Sequence, residues 1–570
     1  MAKLFSFRFV LFVIFCLFSL AFINTAWVAE DAFITFRSVD NMLAGYGPVW
    51  NIGERVQVYT HPLWYILLVI GNFIAHSPYY VALVLNYLCL LGFLYIYARL
   101  VAKNKPDTPI QALLVIIILL FSRAFVDYSS SGLENSLLHI LIVGYVYFLV
   151  SQDVSLRHKL LWCSLIFSGL FLTRPDGILL VLPASLYLFI RAIREEPKAL
   201  LYILLGLLPM IFWETFSIIY YGSFVPNTAL AKVNNGVPLF KNLSKAYEYF
   251  KFNLLNDAVT LSIVFLAVLC GLFKRNITLL LATGIILQIV YLCYVGADYM
   301  LGRFLSSSMV MAIIIMAIII PSNDKRKTAF MMMLFAPVAL TSVFIRSPLA
   351  LTLFSPITYT APVIDVHGNA DERGFYYQYL GLKPVVGPLE GWYQSYGWFY
   401  TGSLVYRNPG IYISCFIGMQ PWKGGYQSYW IDPMALSEPF LARLPSHSMD
   451  ARTGHYERAF PPGYLKSKIS GTNQLENPEL HHLYDDVELA VKGDIWARER
   501  WGAIWRLNTG YYKHMDRFFD RNALGSRELV GNIDIEWDMH KCMGALEQPN
   551  YMIKSYQRNL RDSIPKCMVF

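Results

Sequence analysis

The sequence predicts a polytopic α-helical membrane protein of about eleven transmembrane helices, with a mixed α/β domain outside the membrane at its C-terminus. Three observations predict it. The chain is 56% hydrophobic and only 15% charged, against roughly 25% charge in soluble domains. Its apolar residues fall in long blocks instead of alternating with polar ones. Beyond residue 345 that character ends, and 346–570 mixes Tyr, Trp, Gly, Pro and both charges, with length enough to bury a core of its own.

The first block, 9–28, follows Lys3 and Arg8 and is long enough to cross a bilayer, which takes about 20 residues. Asn24-Thr25-Ala26-Trp27 is a poor small-residue cleavage site, so the block reads as a retained anchor. Further blocks follow at 79–101, 110–127, 133–150, 160–173, 177–193, 199–220, 257–273, 277–295, 303–320 and 328–345. Basic clusters at Lys103/Lys105, Arg157–Lys159, Arg191–Lys198, Lys274/Arg275 and Lys325–Lys327 mark the cytoplasmic side. All of them fall there only if the short apolar piece Pro62–Ala75 does not cross, so it reads as interfacial or re-entrant. The N-terminus is then cytoplasmic, and 1–345 forms the membrane domain with an outer loop at 29–61. The net charge of +8 lies mostly in the cytoplasmic loops and implies no nucleic-acid partner.

Within 346–570, "NPGIYISCFIGM" alternates like a strand, and "DDVELAVKGDIWARERWGAIWRL" has helical periodicity. Cys542 and Cys567 could pair in an oxidising compartment. Cys415 reads as core, and the membrane cysteines as small hydrophobes.

This topology gathers the unusual polar residues on the outer side. Glu30 and Asp31 follow the first block, and Asp127 and Glu134 lie in "VDYSSSGLENS". Arg174 and Asp176 lie in "LTRPDG", Lys232 in "YYGSFVPNTALAKV", and Asp298 and Arg303 in "VGADYMLGRF". Ionisable residues at membrane depth are costly and usually functional. Cations and acids on one face suit a site that binds an anion and performs acid–base work. Simpler readings stand beside this one. Glu30 and Asp31 suit the start of an interfacial helix, and Arg174 could snorkel to headgroups. Asp298 and Arg303 could form a local pair, Glu134 could be a helix cap, and His61 could be an ordinary interfacial residue. The adjacent His481 and His482 lack metal-site spacing.

No Walker loop, dinucleotide fingerprint, HExxH or CxxC is present, which argues against cytoplasmic nucleotide chemistry. A membrane enzyme working outside without ATP needs a pre-activated substrate. A lipid-linked phosphosugar supplies both activation and a hydrophobic handle. Its phosphate calls for Arg and Lys, its lipid for a groove between helices, and its acceptor hydroxyl for a carboxylate base.

The same segments carry a resemblance. "EDAFITFR" and "YGPVWNIGERVQVYTHPLW" resemble the first outer loop of GT-C type glycosyltransferases, polytopic enzymes that use lipid-phosphosugars. "SSGLEN", "LTRPDGILLVLP", "YYGSFVPNTALAKV" and "GADYMLGRF" resemble, in order, segments of the mycobacterial-type terminal arabinofuranosyltransferases and related pilin arabinosyltransferases. The similarity runs on through "HGNADERGFYY", "WIDPMALSEPFLARLP" and "TGHYERAFPPGYL". It implies a GT-C-like fold in a bacterial cytoplasmic membrane and a polyprenyl-phosphate arabinofuranose donor. It also implies an acceptor, either a glycan or a pilin-like glycoprotein, held between the membrane and outer domains. Relatives more often show two aspartates where this chain has Glu30-Asp31, so Asp31 is the better match to the catalytic base. His61 stands where relatives commonly have Asn or a small polar residue.

The resulting expectations are specific. Asp31, with Glu30 beside it, is the catalytic carboxylate, on a helix that a glycine-rich loop folds back as a lid against the membrane. Arg303, Lys232 and Arg174 hold the donor phosphate. Arg37, His61, Glu134, Asp298, Asp432 and His455 contact donor or acceptor, with Glu438 and Arg443 beside Asp432 in the outer domain. No cofactor is implied, because Arg and Lys alone can bind a monophosphate. Transfer of another lipid-phosphate-linked sugar is an open alternative. A lipid-linked-sugar transporter would instead place its ionisable groups near the bilayer midplane.

Overall fold

A computed structural model describes residues 2–196, 198–274, 276–344, 364–384, 397–513, 526–530 and 533–537. The chain opens with α1 (Ala2–Thr25), continuous over 24 residues. An extended segment, Ala26–Ala29, then runs buried through the protein. Its backbone polar groups cannot be left unpaired there. Trp27 and Ala29 donate to the carbonyls of Ser130 and Ser131 at 3.3 and 2.8 Å, and Val28 donates to Leu380 O at 3.1 Å.

The helix α2 (Glu30–Leu43) buries Ala32, Phe33, Phe36 and Val39 along one stripe. Its two acids stand in the first turn, where the helix dipole favours negative charge. The helix α3 (Pro62–Ala75) begins with proline, which costs no hydrogen bond at that position. At 14 residues it is about 21 Å long, short of the roughly 30 Å hydrocarbon core.

The helix α4 (Pro78–Asn104) is 27 residues long. The block at 110–127, expected as one span, is broken into three pieces: α5 (Pro109–Leu114), a 3-10 turn at Val115–Phe121, and α6 (Arg123–Tyr128). The β-branched run Val115–Ile118 crowds an α-helix. Ser122 then restarts the chain by accepting the Phe125 N–H at 3.1 Å. The block at 177–193 likewise opens as a 3-10 turn, Pro175–Leu180, before α9 (Leu182–Glu195). Between these lie α7 (Asn135–Val150) and α8 (Leu156–Thr173), and α10 (Ala199–Tyr220) follows.

After the short α11 (Asn227–Val233), α12 (Leu239–Asn256) meets α13 (Ala258–Leu272) at a 111° bend. Asp257 makes the corner and caps α13 at Thr260 N. The helices α14 (Ile277–Val295), α15 (Leu305–Ile319) and α16 (Asp324–Phe344) complete the set. From Leu305 to Ala317 every residue of α15 is buried, so it needs no polar face and occupies the middle of the bundle.

Several apolar helices thus suggest a multi-pass membrane protein. Among the described residues four helices, α1, α4, α10 and α14, are long and apolar enough to cross a membrane. The count is five if the bent α12–α13 pair is one span. The sequence expectation of about eleven therefore includes shorter apolar helices, such as α7 and α15.

The later region carries α17 (Glu372–Leu380), α18 (Gly397–Arg407), β1 (Ile411–Ile413), α19 (Met419–Lys423) and β2 (Tyr429–Ile431). It continues with α20 (Tyr464–Ser470), α21 (Pro478–Lys492), α22 (Arg498–Asn508), β3 (Ser526–Val530) and β4 (Ile533–Trp537). β1 and β2 pair in parallel, and β3 and β4 antiparallel. The expected strand around Cys415 shrinks to three residues, and the expected long helix splits at Gly493. Phe440, Tyr464 and Tyr484 centre a separate apolar core. Residue 345 is nevertheless no packing boundary, because Phe375, Tyr376 and Leu380 of α17 pack into the membrane-side core. Cys415 is buried as expected, and it is also disulfide-bonded. Cys542, Cys567 and Arg275 lie outside the described residues.

The outer loop corrects a second expectation. Gly45, Gly47 and Gly53 do turn the chain, with φ near +90°. The loop's apolar side chains are covered by the later region. Trp50, Val56 and Val58 pack against Tyr412, Trp430 and Val491 of the later region. Arg37, expected as a ligand, ties this joint together. Its guanidinium donates to the carbonyls of Trp50 (2.9 Å), Gly425 (2.8 Å), Ser428 (3.0 Å) and Pro421, and only 2% of the residue is exposed. Removing it strands several buried carbonyls, each costing about 1–3 kcal/mol. Arg37→Leu should therefore lower the thermal midpoint of the detergent-solubilised protein and open 421–428 to protease. Unchanged midpoint and cleavage would show that the joint does not depend on it.

Candidate functional site

Where α2, the α8–α9 turn, α11 and the α14–α15 turn meet the later region, they enclose a cavity of about 420 Å³. It is lined by Glu30, Asp31, His61, Glu134, Arg174, Lys232, Asp298, Arg303 and His455. Nine of the eleven residues expected at the site are thus brought together from segments hundreds of residues apart. The other two are not. Arg37 serves the joint described above. Asp432 is fully buried, and its carboxylate accepts the backbone N–H groups of Met434 (2.8 Å) and Ser437 (3.1 Å). Its neighbours are structural too. Glu438 pairs with Lys468 at 2.9 Å, and Arg443 donates to Pro439 O. The segment thus spends its charge inside the outer core.

Arg303 is the hub of the cavity. Its guanidinium lies 2.9 Å from the Asp31 carboxylate and 3.7 Å from Glu134. These partners, not Asp298, are its described ion pairs. Gly302 sets Arg303 in place with φ +79°, and a Cβ there would fall 2.6 Å from Ala124 Cα. Arg174 reaches the same Glu134 at 3.7 Å, pairs with Asp176 at 3.0 Å and stacks on the Phe304 ring at 3.9 Å. His61 links the network to α2, with Nδ1 3.4 Å from Glu134 and Nε2 2.9 Å from Thr35 Oγ1. Burial lowers its pKa, so the ring is neutral at pH 7.

Lys232 differs from the two arginines. Among the described residues its ammonium group makes no ion pair or hydrogen bond, and burial lowers its pKa. It is the cation that still wants a partner.

Carboxyls outnumber these cations around the cavity, which opposes an anion unless some are neutral. Two of them are. Burial first, and then the Asp31 charge, push Glu30 up to about 8, and burial does the same to Glu372. The Glu30 carboxyl accepts Met419 N–H at 2.8 Å and nests against Gly418, where any Cβ would collide with it at 2.1 Å. The neighbouring acids are therefore unlike: a neutral Glu30 locked to the roof, and a partly exposed Asp31 paired to Arg303.

The remaining wall is apolar, including Phe171, Trp213, Phe224 and Val295. Phe224 is also 53% exposed on the outside, so this wall is continuous with the apolar surface. Three charged lining residues were not expected. Glu214 had a visible signal, a lone carboxyl in the apolar run "PMIFWETFSII". Glu372 lies within "HGNADERGFYY" and Arg452 just before "TGHYERAFPPGYL", but no flanking apolar block singles out either charge. Arg452 lies 4.1 Å above the Tyr299 ring and 2.6 Å from His455 Nε2.

No family model matches the chain. It is 32% identical over 227 residues to the terminal β-(1→2)-arabinofuranosyltransferase of Mycobacterium tuberculosis, covering 36% of this chain and 35% of that one. It is 27% identical over 350 residues to the enzyme of the same name from Corynebacterium glutamicum, covering 52% and 48%. The chain thus matches half or less of the length of these curated relatives. A structural comparison with ArnT from Cupriavidus metallidurans, solved with undecaprenyl phosphate, gives a TM-score of 0.43 at 10% identity. It covers 75% of this chain and 86% of that one.

The Glu30 environment has a pH signature. Its folded pKa of about 8 lies above the ordinary 4.5. Its contribution to stability is therefore complete below about 4.5 and is lost as pH rises through about 8. The wild-type thermal midpoint should fall between about pH 5 and about pH 9, and Glu30→Gln should flatten that fall. An identical slope in both proteins would mean that Glu30 ionises freely.

Proposed function

We propose that the chain transfers an arabinofuranosyl residue from a polyprenyl-phosphate donor to a glycan or glycoprotein acceptor, on the outer face of a bacterial cytoplasmic membrane. The observation that carries this reading is the pairing of Asp31 with Arg303 at 2.9 Å beside an unpaired Lys232, in a cavity whose far wall is apolar. The donor phosphate is an anion attached to a lipid, and the cavity offers both matching surfaces. Arabinofuranose as the sugar rests on the similarity to the two named transferases.

In this reading the lipid lies along Phe171, Trp213 and Phe224, and the phosphate meets Lys232, Arg303 and Arg174. As phosphate takes over part of the Arg303 fork, Asp31 is released towards the acceptor hydroxyl. The bond between the sugar's anomeric carbon and the phosphate oxygen breaks, and its electron pair leaves with the polyprenyl phosphate. The acceptor oxygen bonds to the anomeric carbon, and its proton passes to Asp31. Neutral Glu30 adds no second negative charge near the leaving phosphate. The Arg fork can grip two phosphate oxygens at once, and Lys232 adds a point charge.

The proposed membrane arrangement has about eleven spans, a cytoplasmic N-terminus, and 346–570 outside. The Cys415 disulfide supports the outside placement, since such bonds persist in oxidising compartments.

Purified protein supplied with polyprenyl-phosphate arabinofuranose and an arabinan oligosaccharide tests the reading, with product followed by mass spectrometry. Asp31→Asn should reduce transfer about 10²–10⁴-fold, the usual worth of a general base. Near-normal turnover would remove Asp31 from that role. Lys232→Met should raise the donor requirement while acceptor saturation stays close to wild type. Equal effects on both substrates would move Lys232 out of the phosphate site.

A further inference from the structure

A second cavity of about 610 Å³ adjoins the first, and the two share Tyr299, Glu372, Arg452 and His455 in the wall between them. We infer that this second cavity holds a neutral, polyhydroxylated saccharide acceptor, and that Glu372 and Arg452 bring its reacting hydroxyl to the donor. The assignment rests on the donor reading above.

Charge argues for a neutral ligand. The cations around the second cavity are already engaged. Lys241 pairs with Asp450 at 2.6 Å, and Lys245 donates to Ala451 O at 2.7 Å. Asp365 is occupied as well, accepting the N–H groups of His367 and Asn369 at 2.9 and 2.8 Å. Among the described residues six carboxyls line the space against three Lys and Arg side chains, which disfavours a phosphate or an acidic polymer, and an amide lies among them. Hydroxyls donate and accept, so a sugar chain can use such a lining where an ion cannot. The aromatic faces of Tyr376 and Phe416, also shared by both cavities, suit the apolar side of a sugar ring.

Geometry argues for the two residues. Arg452 is fixed by its stack on Tyr299 and its bond to His455. Gly368 (φ +85°) leaves it room, since a Cβ there would meet Arg452 Cβ at 2.5 Å. Glu372 opens α17 behind the Asp371 cap, which accepts Gly374 N–H at 3.0 Å. Its own carboxyl makes no hydrogen bond or ion pair among the described residues. A partly buried carboxyl without a partner is the feature a ligand hydroxyl would satisfy. Being protonated at pH 7, it can donate to the acceptor oxygen while Asp31 removes the proton.

The test uses the full chain in detergent and three readouts: undecaprenyl-phosphate binding, release of free sugar from the donor by water, and transfer to an arabinan oligosaccharide. Ser244→Trp fills the second cavity from a position that does not line the first. It should abolish transfer but leave lipid-phosphate binding and sugar release. Glu372→Ala should raise the half-saturating acceptor concentration about tenfold, the loss of one hydrogen bond to a polar partner. Full transfer by Ser244→Trp, or unchanged acceptor saturation in Glu372→Ala, would overturn the inference. Transfer to a pilin-derived peptide but to no oligosaccharide would overturn the saccharide class. Failure of the wild type to bind undecaprenyl phosphate would instead overturn the donor reading on which it rests.

Discussion

A single arginine holds together parts of the chain that are 272 residues apart in sequence. Arg303 stands between Asp31 on α2 and Glu134 at the head of α7. Glu134 in turn is shared with Arg174 and His61. Charges this deeply placed are tolerated only when each has a counter-charge, because desolvation outweighs any one isolated pair. The helix ends must therefore converge for any of these side chains to be buried. The cavity is a product of that convergence, and its apolar wall is what remains of the surrounding helices.

The network also explains why two acids can stand side by side. Identical neighbours would repel, and the environment separates them. Glu30 is sealed under Gly418 and Met419 and keeps its proton, whereas Asp31 faces the cavity and meets Arg303. Two carboxyls with opposed environments can take distinct roles at one pH. The roof contact costs a specific backbone, since no side chain fits at position 418.

The helical, multi-pass character and most of the charged cavity lining were legible in the sequence, for a physical reason. Charges at the ends of apolar blocks are expensive, so they are few, and topology alone sorts them to one side. Asp31, Glu134, Arg174, Lys232, Asp298 and Arg303 all stood out in this way. Arg37 was expected beside them but serves the joint, because a guanidinium that donates to four carbonyls looks the same in sequence as one that binds a ligand. Asp432 failed for the same reason, its carboxylate being used on two backbone amides. The 3-10 turn within 110–127 was hidden by the uniformly apolar run 112–121, since hydropathy does not distinguish it from an α-helix, although Ser122-Arg123 marks the break that follows. Glu372 opens a short mixed helix and Arg452 lies in a loop, where no apolar block flanks the charge to mark it as lining anything.

The buried strand-like segment Ala26–Ala29 bears on how the protein is made. Its amides and carbonyls are shared with Ser130, Ser131, Leu380 and Leu382, and Tyr377 bonds the carbonyl of Asn24, 353 residues away. A chain emerging from the ribosome has α1 and α2 long before residues 377–382 exist. Until they arrive, one side of this segment has no backbone partners, and the helix that begins at Glu30 has no fixed direction. The acidic pair is therefore among the first features synthesised and among the last to be held in place. Intermediates caught during membrane insertion would carry the acidic pair of α2 without the backbone contacts that fix its direction.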